Sequence, residues 1–88
     1  MSQAVTVRNE LGLHARAAAK FVHLATGFEC LVRVGRDGRE VDGKSIMGLL
    51  FLAAPSGSML EISATGTDEA AAVDALCALV EGGFGERE

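Results

Sequence analysis

Residues 29–43 read ECLVRVGRDGREVDG, and the reading of the fold turns on them. Cys30, Val32 and Val34 alternate with Leu31 and Arg33, the period-two signature of a strand with one face turned inward. GRDG (35–38) reverses the chain, with a glycine free to take positive φ. REVDG then returns as a shorter strand whose one inward residue is Val41. A β-hairpin is therefore predicted in the middle of the chain, and its flanks decide the class.

Toward the N-terminus, AVTVR (4–8) alternates as a half-buried strand with Val5 and Val7 inward, and NELG (9–12) breaks it. A helix is predicted from about residue 15 to 26, with Ala18, Phe21, Val22 and Ala25 on its apolar face and Gly27 as its stop. Toward the C-terminus, a brief helix begins near Ser45 and runs through SIMGLLFLA, with Leu50 the expected core member. PSG (55–57) turns the chain into the strand MLEISA (59–64). The last helix takes Thr67 as its N-cap, Asp68 and Glu69 in its positive first turn and Ala72, Val73, Leu76 and Val80 as its stripe; GGFG ends it. The order β-α-β-β-α-β-α is a split βαβ plan with an added helix. An α+β fold is expected, an open-faced β-sandwich with four antiparallel strands covered on one face by three helices, as a single domain over residues 1–88.

Composition narrows the function. With 49% hydrophobic and 23% charged residues the chain is a packed globule. A net charge of −4, four Phe and no Trp or Tyr speak against a nucleic-acid surface. The charge is uneven: residues 1–44 carry seven basic and five acidic side chains, whereas residues 45–88 carry one and seven. Cys30 and Cys77 form no CxxC and are read as buried thiols of a cytosolic protein. No signal peptide is visible, and the longest apolar run, IMGLLFLAA, is far short of the ~20 residues that span a bilayer. A soluble, cytoplasmic protein without membrane association is expected.

One stretch carries chemistry. In GLHARAAAKFV (12–22) a histidine stands where the first helix begins. With His14 at or near the N-cap, the free N–H groups of Ala15, Arg16 and Ala17 converge beside the imidazole. The positive helix end biases the ring toward its neutral, nucleophilic form and welcomes a phosphoryl group once attached. Arg16 adds a forked cation suited to phosphate oxygens. Taken alone, such a histidine is most often an ordinary surface residue. A metal site has less support, because His23 is the other histidine, read as a solvated surface residue, and no ligand partner sits at the right spacing. No nucleophile elbow supports a Ser-His-Asp hydrolase and no P-loop supports a nucleotide pocket, and no cofactor is expected.

GLHARAAAKFV resembles the active-site segment of the HPr family, the histidine-containing phosphocarriers of the phosphoenolpyruvate-dependent phosphotransferase system. DGKSIMGLLFLAAPSGSMLEISATGTDEAAAVDAL (42–76) is similar to the remainder of such a domain, including the K-S-I-M-G stretch around its regulatory serine. The resemblance implies that His14 is phosphorylated on Nδ1 by Enzyme I and passes the group to an EIIA-type protein, with Arg16 steadying it. It implies that Ser45 is phosphorylated by HPr kinase/phosphorylase in lineages that have one. A monomeric carrier, not a turnover enzyme, is expected, serving sugar transport or a regulatory branch. Many family members carry proline where this chain has Ala17, and alanine restores an amide donor there, expected to alter phosphohistidine lifetime modestly.

Ser45 also reads as an N-cap. The residues after it, Ile46, Met47, Leu49, Leu50, Phe51 and Leu52, are too many for one core-facing stripe, so some face outward; Ile46 and Met47 are the candidates for partner docking. Two other readings remain open at this point. One is a non-catalytic regulatory module that binds a partner through Ile46 and Met47, with His14 vestigial or a switch. The other is an acyl-phosphatase-like hydrolase, disfavoured because no phosphate-cradling loop with a catalytic asparagine is evident.

Overall fold

The central hairpin forms as expected, and the sheet grows from it. The structure, a computed structural model, describes residues 1–86. Among them the elements run β1 (Ser2–Thr6), α1 (Ala15–Ala25), β2 (Leu31–Arg36), β3 (Arg39–Asp42), α2 (Ile46–Phe51), β4 (Met59–Thr65) and α3 (Glu69–Glu81), closed by a 3-10 turn at Gly83–Gly85. Asp37 and Gly38 connect β2 to β3 with φ of 51° and 81°, the two-residue turn whose twist matches that of the strands. The sheet is antiparallel throughout, in the order β1-β4-β2-β3, so β4 is inserted between the first strand and the hairpin.

Alternation decides the inner face. Val34 pairs with Ile62 on one side and Val41 on the other. Val5, Val32, Val34, Leu60, Ile62 and Ala64 are buried against Ala18, Phe21 and Ala25 of α1, Leu49 of α2 and Val73, Leu76 and Val80 of α3. The fold is the expected α+β sandwich with its helices on one face. Cys30 and Cys77 are free and buried. Among the described residues no helix is long and apolar enough to cross a membrane.

Several boundaries and contacts differ from expectation. β1 starts and ends two residues before the predicted 4–8, although Val7 is still fully buried. Its N–H donates to Ser58 O at 2.8 Å and its carbonyl accepts from Gly57 N–H at 2.7 Å, so pairing continues past the regular ladder. In α2, Leu49 and not Leu50 fills the core: a helix of six residues turns one leucine inward and leaves Leu50 exposed.

At α3 the cap is Asp68, not Thr67, and its side chain makes no cap bond. The carboxylate instead accepts the N–H groups of Glu29 at 2.8 Å and Cys30 at 3.0 Å. Those bonds, the Glu29 amide first, hold the Asp68 carboxyl below its ordinary range. Asp68 thereby staples the start of α3 to the entry of β2. GGFG was expected only to end α3; it forms the closing turn and buries Phe84.

Candidate functional site

The loop that delivers His14 is fixed before the helix begins. Gly12 N–H donates to Asn9 O at 3.1 Å, Leu13 N–H to Ala54 O at 2.9 Å and His14 N–H to Gly12 O at 2.9 Å. Gly12 has φ of 70°, and a Cβ there would lie 2.6 Å from Ala54 O and 2.9 Å from Pro55 Cα. Both neighbours are backbone and have little freedom to retreat, so the position requires glycine. Leu13 is buried, and the chain enters α1 at His14 in extended conformation, φ −81° and ψ −179°.

His14 is the N-cap of α1, and its carbonyl accepts Ala18 N–H at 2.8 Å. The amides of Ala15, Arg16 and Ala17 therefore precede Ala18, the first helical donor, and have no partner within the helix. Ala15 and Arg16 are exposed, but Ala17 is fully buried with its side chain in the core. The amides open to a group in solution are thus those of Ala15 and Arg16, which narrows the expected cradle. Arg16 makes no hydrogen bond or ion pair among the described residues, and its guanidinium is available to an incoming anion.

The sequence reading missed the imidazole's partner. Glu86 Oε2 lies 2.5 Å from His14 Nε2, with the two side chains 14% and 26% exposed. Glu86 Oε1 accepts from the Asn9 side-chain amide at 2.9 Å. These contacts, the Asn9 bond first and the His14 bond second, hold the Glu86 carboxyl below its ordinary range. An ionised carboxylate only accepts hydrogen bonds, so the proton between the two groups belongs to Nε2. In the neutral ring that leaves Nδ1 with a free lone pair, and no described residue bonds to it.

Glu86 is brought to the ring by the turn after α3. Gly83, Phe84 and Gly85 have φ of 67°, 58° and 72°, three left-handed residues in succession. The strain at Phe84 is about 1 kcal/mol, and burial of its ring, worth about 2–3 kcal/mol, outweighs it. Lys20 Nζ donates to Phe84 O at 2.8 Å, tying α1 to the same turn. Asn9 is buried, and its side-chain amide also donates to Gly12 O at 2.7 Å, while its Oδ1 has no partner among the described residues. Such an orphan acceptor costs about 1–3 kcal/mol. The one sequence signal for this assembly was a phenylalanine between glycines after the last stripe residue.

The remaining candidates lie around α2. Ser45 caps it, its Oγ accepting Gly48 N–H at 3.1 Å. Ile46, Met47, Leu50 and Phe51 are exposed together, Met47 at 78%. Arg39 sits over the Phe51 ring at 5.1 Å, and Arg36 donates to Leu52 O at 2.9 Å, so the hairpin braces the far end of α2. The Leu13–Ala54 bond joins the segment after α2 to the His14 loop. His23 is exposed, as expected, and no three described residues cluster at a spacing that would hold a metal ion.

An open-faced antiparallel sandwich that presents a histidine at the mouth of its first helix defines the class of small histidine phosphocarrier domains. The comparisons agree. Residues 1–82 match the family model of the PTS HPr component phosphorylation site. Phosphocarrier protein HPr of Cupriavidus necator is 52% identical over 83 residues, covering 94% of this chain and 93% of that protein. Phosphocarrier protein NPr of Shewanella violacea is 38% identical over 86 residues, covering 98% and 94%. The crystal structure of HPr-C-His from Thermoanaerobacter tengcongensis superposes with a TM-score of 0.95 at 40% identity, covering 100% of this chain and 99% of that one. The chain belongs to the HPr family of phosphotransferase-system phosphocarriers, proteins that carry a phosphoryl group and are not catalysts.

Proposed function

We propose that this chain accepts a phosphoryl group on His14 from phospho-Enzyme I and passes it to EIIA-type proteins. The observation that carries the reading is the state of the imidazole. Its Nε2 is engaged by Glu86; among the described residues nothing bonds to Nδ1 or to the Arg16 guanidinium, and Ala15 and Arg16 are exposed in the first turn of the helix that His14 caps. The Nδ1 lone pair attacks phosphorus, the bond from phosphorus to the donor breaks, and its electron pair returns to the donor. Onward transfer is the same step with His14 as the leaving group.

Ile46 and Met47 form the docking face for these partners, since exposed apolar side chains suit brief encounters, and the segment that follows their helix is tied to the His14 loop by the Leu13 N–H to Ala54 O bond. Ser45 is the regulatory phosphorylation site, and HPr kinase/phosphorylase acts on it where present. Phosphorylation would set about two negative charges beside that patch at neutral pH. Ser45 Oγ already accepts Gly48 N–H at the start of α2, which supports a fold that survives the modification while docking is opposed. The carrier works as a monomer in the cytoplasm.

Incubation with phosphoenolpyruvate and Enzyme I, followed by mass spectrometry of the acid-labile phosphate, tests the reading. Phosphate on His14 that then moves to an EIIA protein is the expected result; none on His14 removes it. The same Ile46–Met47 patch also fits a purely regulatory binder, and partner binding without phosphoryl transfer would favour that reading.

A further inference from the structure

We infer that Glu86 is a positioning residue for phosphoryl transfer: its carboxylate, held by Asn9 and by the Gly83–Gly85 turn, keeps the proton on Nε2 of His14 and balances the positive ring that phosphorylation at Nδ1 creates. The inference rests on the proposed function and deepens it.

Two contacts converge on this one carboxylate, and a third holds the turn that carries it. The Asn9 amide holds Oε1 at 2.9 Å, His14 Nε2 holds Oε2 at 2.5 Å, and Lys20 anchors the turn through Phe84 O at 2.8 Å. The geometry is maintained against two local costs, a left-handed phenylalanine and an orphaned Asn9 Oδ1. Such costs persist only where the surrounding structure over-determines the conformation, and here both fall on the residues that hold Glu86.

The chemistry follows from the proton count. An imidazole with hydrogen on Nε2 offers its Nδ1 lone pair; the opposite tautomer does not. When Nδ1 bonds to phosphorus, the Nε2 proton stays, so the ring gains positive charge as the donor bond breaks. A carboxylate already in place stabilises that charge without reorganising. When the group leaves, the electron pair of the P–N bond returns to Nδ1 and the ring is neutral again. No proton need be exchanged with solvent in either direction. Around this pair lie Arg8 and Glu81, which share a surface cleft with Glu86, then Lys20 and, in the first turn of α1, Arg16.

The test uses the full chain and two variants. Nitrogen-15 spectra of the unphosphorylated protein report the tautomer directly. Wild type is expected to show hydrogen on Nε2, Glu86→Ala a mixture, and Glu86→Gln a wild-type pattern, because its amide oxygen still accepts. Phosphorylated with Enzyme I and phosphoenolpyruvate, both variants should accept the group about tenfold more slowly, the worth of one charge-assisted hydrogen bond. Their phosphohistidine should also outlive the wild type's several-fold at neutral pH, with the hydrolysis profile moved toward acid, since loss of the carboxylate eases loss of the Nε2 proton. A Glu86→Ala chain with the wild-type tautomer and lifetime overturns the inference. A wild-type chain that takes no phosphoryl group removes the functional reading instead. The tautomer measurement, made before any phosphorylation, still upholds or overturns the part assigned to Glu86 in the resting ring.

Discussion

Replacing Phe84 by alanine separates the hold on the tail from the stability of the fold. Ordering Gly83, Phe84 and Gly85 costs about 3–6 kcal/mol of backbone entropy. Against this stand burial of the phenylalanine ring, about 2–3 kcal/mol, and the Lys20 bond to its carbonyl, about 1 kcal/mol. The terms nearly cancel, so the turn is held by a narrow margin and loss of the ring releases it. Release also limits the damage. A rigid core site would lose about 3–5 kcal/mol on Phe→Ala, whereas a turn that detaches costs no more than its own net contribution, about 1 kcal/mol at most by this balance. At about 4–8 °C per kcal/mol for a chain of this size, the expected fall in melting temperature is no more than about 8 °C. Hydrogen exchange should show protection lost in residues 83–86 but kept in β2 and β4, and the His14 nitrogens should move toward the Glu86→Ala pattern. A fall beyond about 20 °C with the turn still protected, or unchanged His14 nitrogens, would refute the reasoning.

Gly12→Ala places a methyl group against Ala54 O and Pro55 Cα at positive φ, so a loss of about 2–4 kcal/mol and a displaced His14 are expected, read by thermal melts and the rate of phosphoryl acceptance. Ser45→Ala removes the α2 cap and should lower stability by about 1 kcal/mol, whereas Ser45→Asp should keep the circular dichroism spectrum and weaken phosphorylation of His14 by Enzyme I. Asp68 titrates below its ordinary range when folded, so its contribution is present at neutral pH and lost as pH falls through the carboxylate range. Asp68→Asn should therefore melt lower than wild type at pH 7, and the difference should shrink toward pH 3; a constant difference would refute the role of the charge.

What the sequence made legible were the features set by local periodicity. Val32 and Val34 announced their strand, and Ala18, Phe21 and Ala25 their helix face, because each pattern repeats within one element. His14 at the start of α1 was legible for the same reason, since the helix must begin where the periodicity does. Leu49 and Leu50 were exchanged because six residues give too short a run to fix the phase of a stripe. Asp68 was read as part of a local helix start, but its carboxylate serves Glu29 and Cys30, far away in the chain. Glu86 lies 72 positions from His14 and Asn9 lies 77 from Glu86, and no periodicity links them. Their meeting depends on the left-handed turn at Gly83–Gly85, which only the packed fold specifies.

That turn changes how the site itself must be understood. Read from its helix alone, the imidazole faces a positive terminus that disfavours a cationic ring. The fold adds a carboxylate on the opposite nitrogen, which favours one. The two influences act on different parts of the phosphorylated residue, so they do not compete. On the proposed function, the helix opening and Arg16 would meet the anionic phosphoryl oxygens, and Glu86, already paired with Nε2, the positive ring that bears them. A phosphoryl group on Nδ1 would thus find both of its charges answered on one small surface. It would be stabilised enough to survive transit, while the protonated ring would remain a competent leaving group. Removing Arg16 and removing Glu86 should therefore have opposite effects on the lifetime of the phosphorylated protein: shorter for Arg16→Ala, whose loss exposes the phosphoryl oxygens, and longer for Glu86→Ala. Lifetimes that shift in the same direction would show that the two charges act on one and the same group.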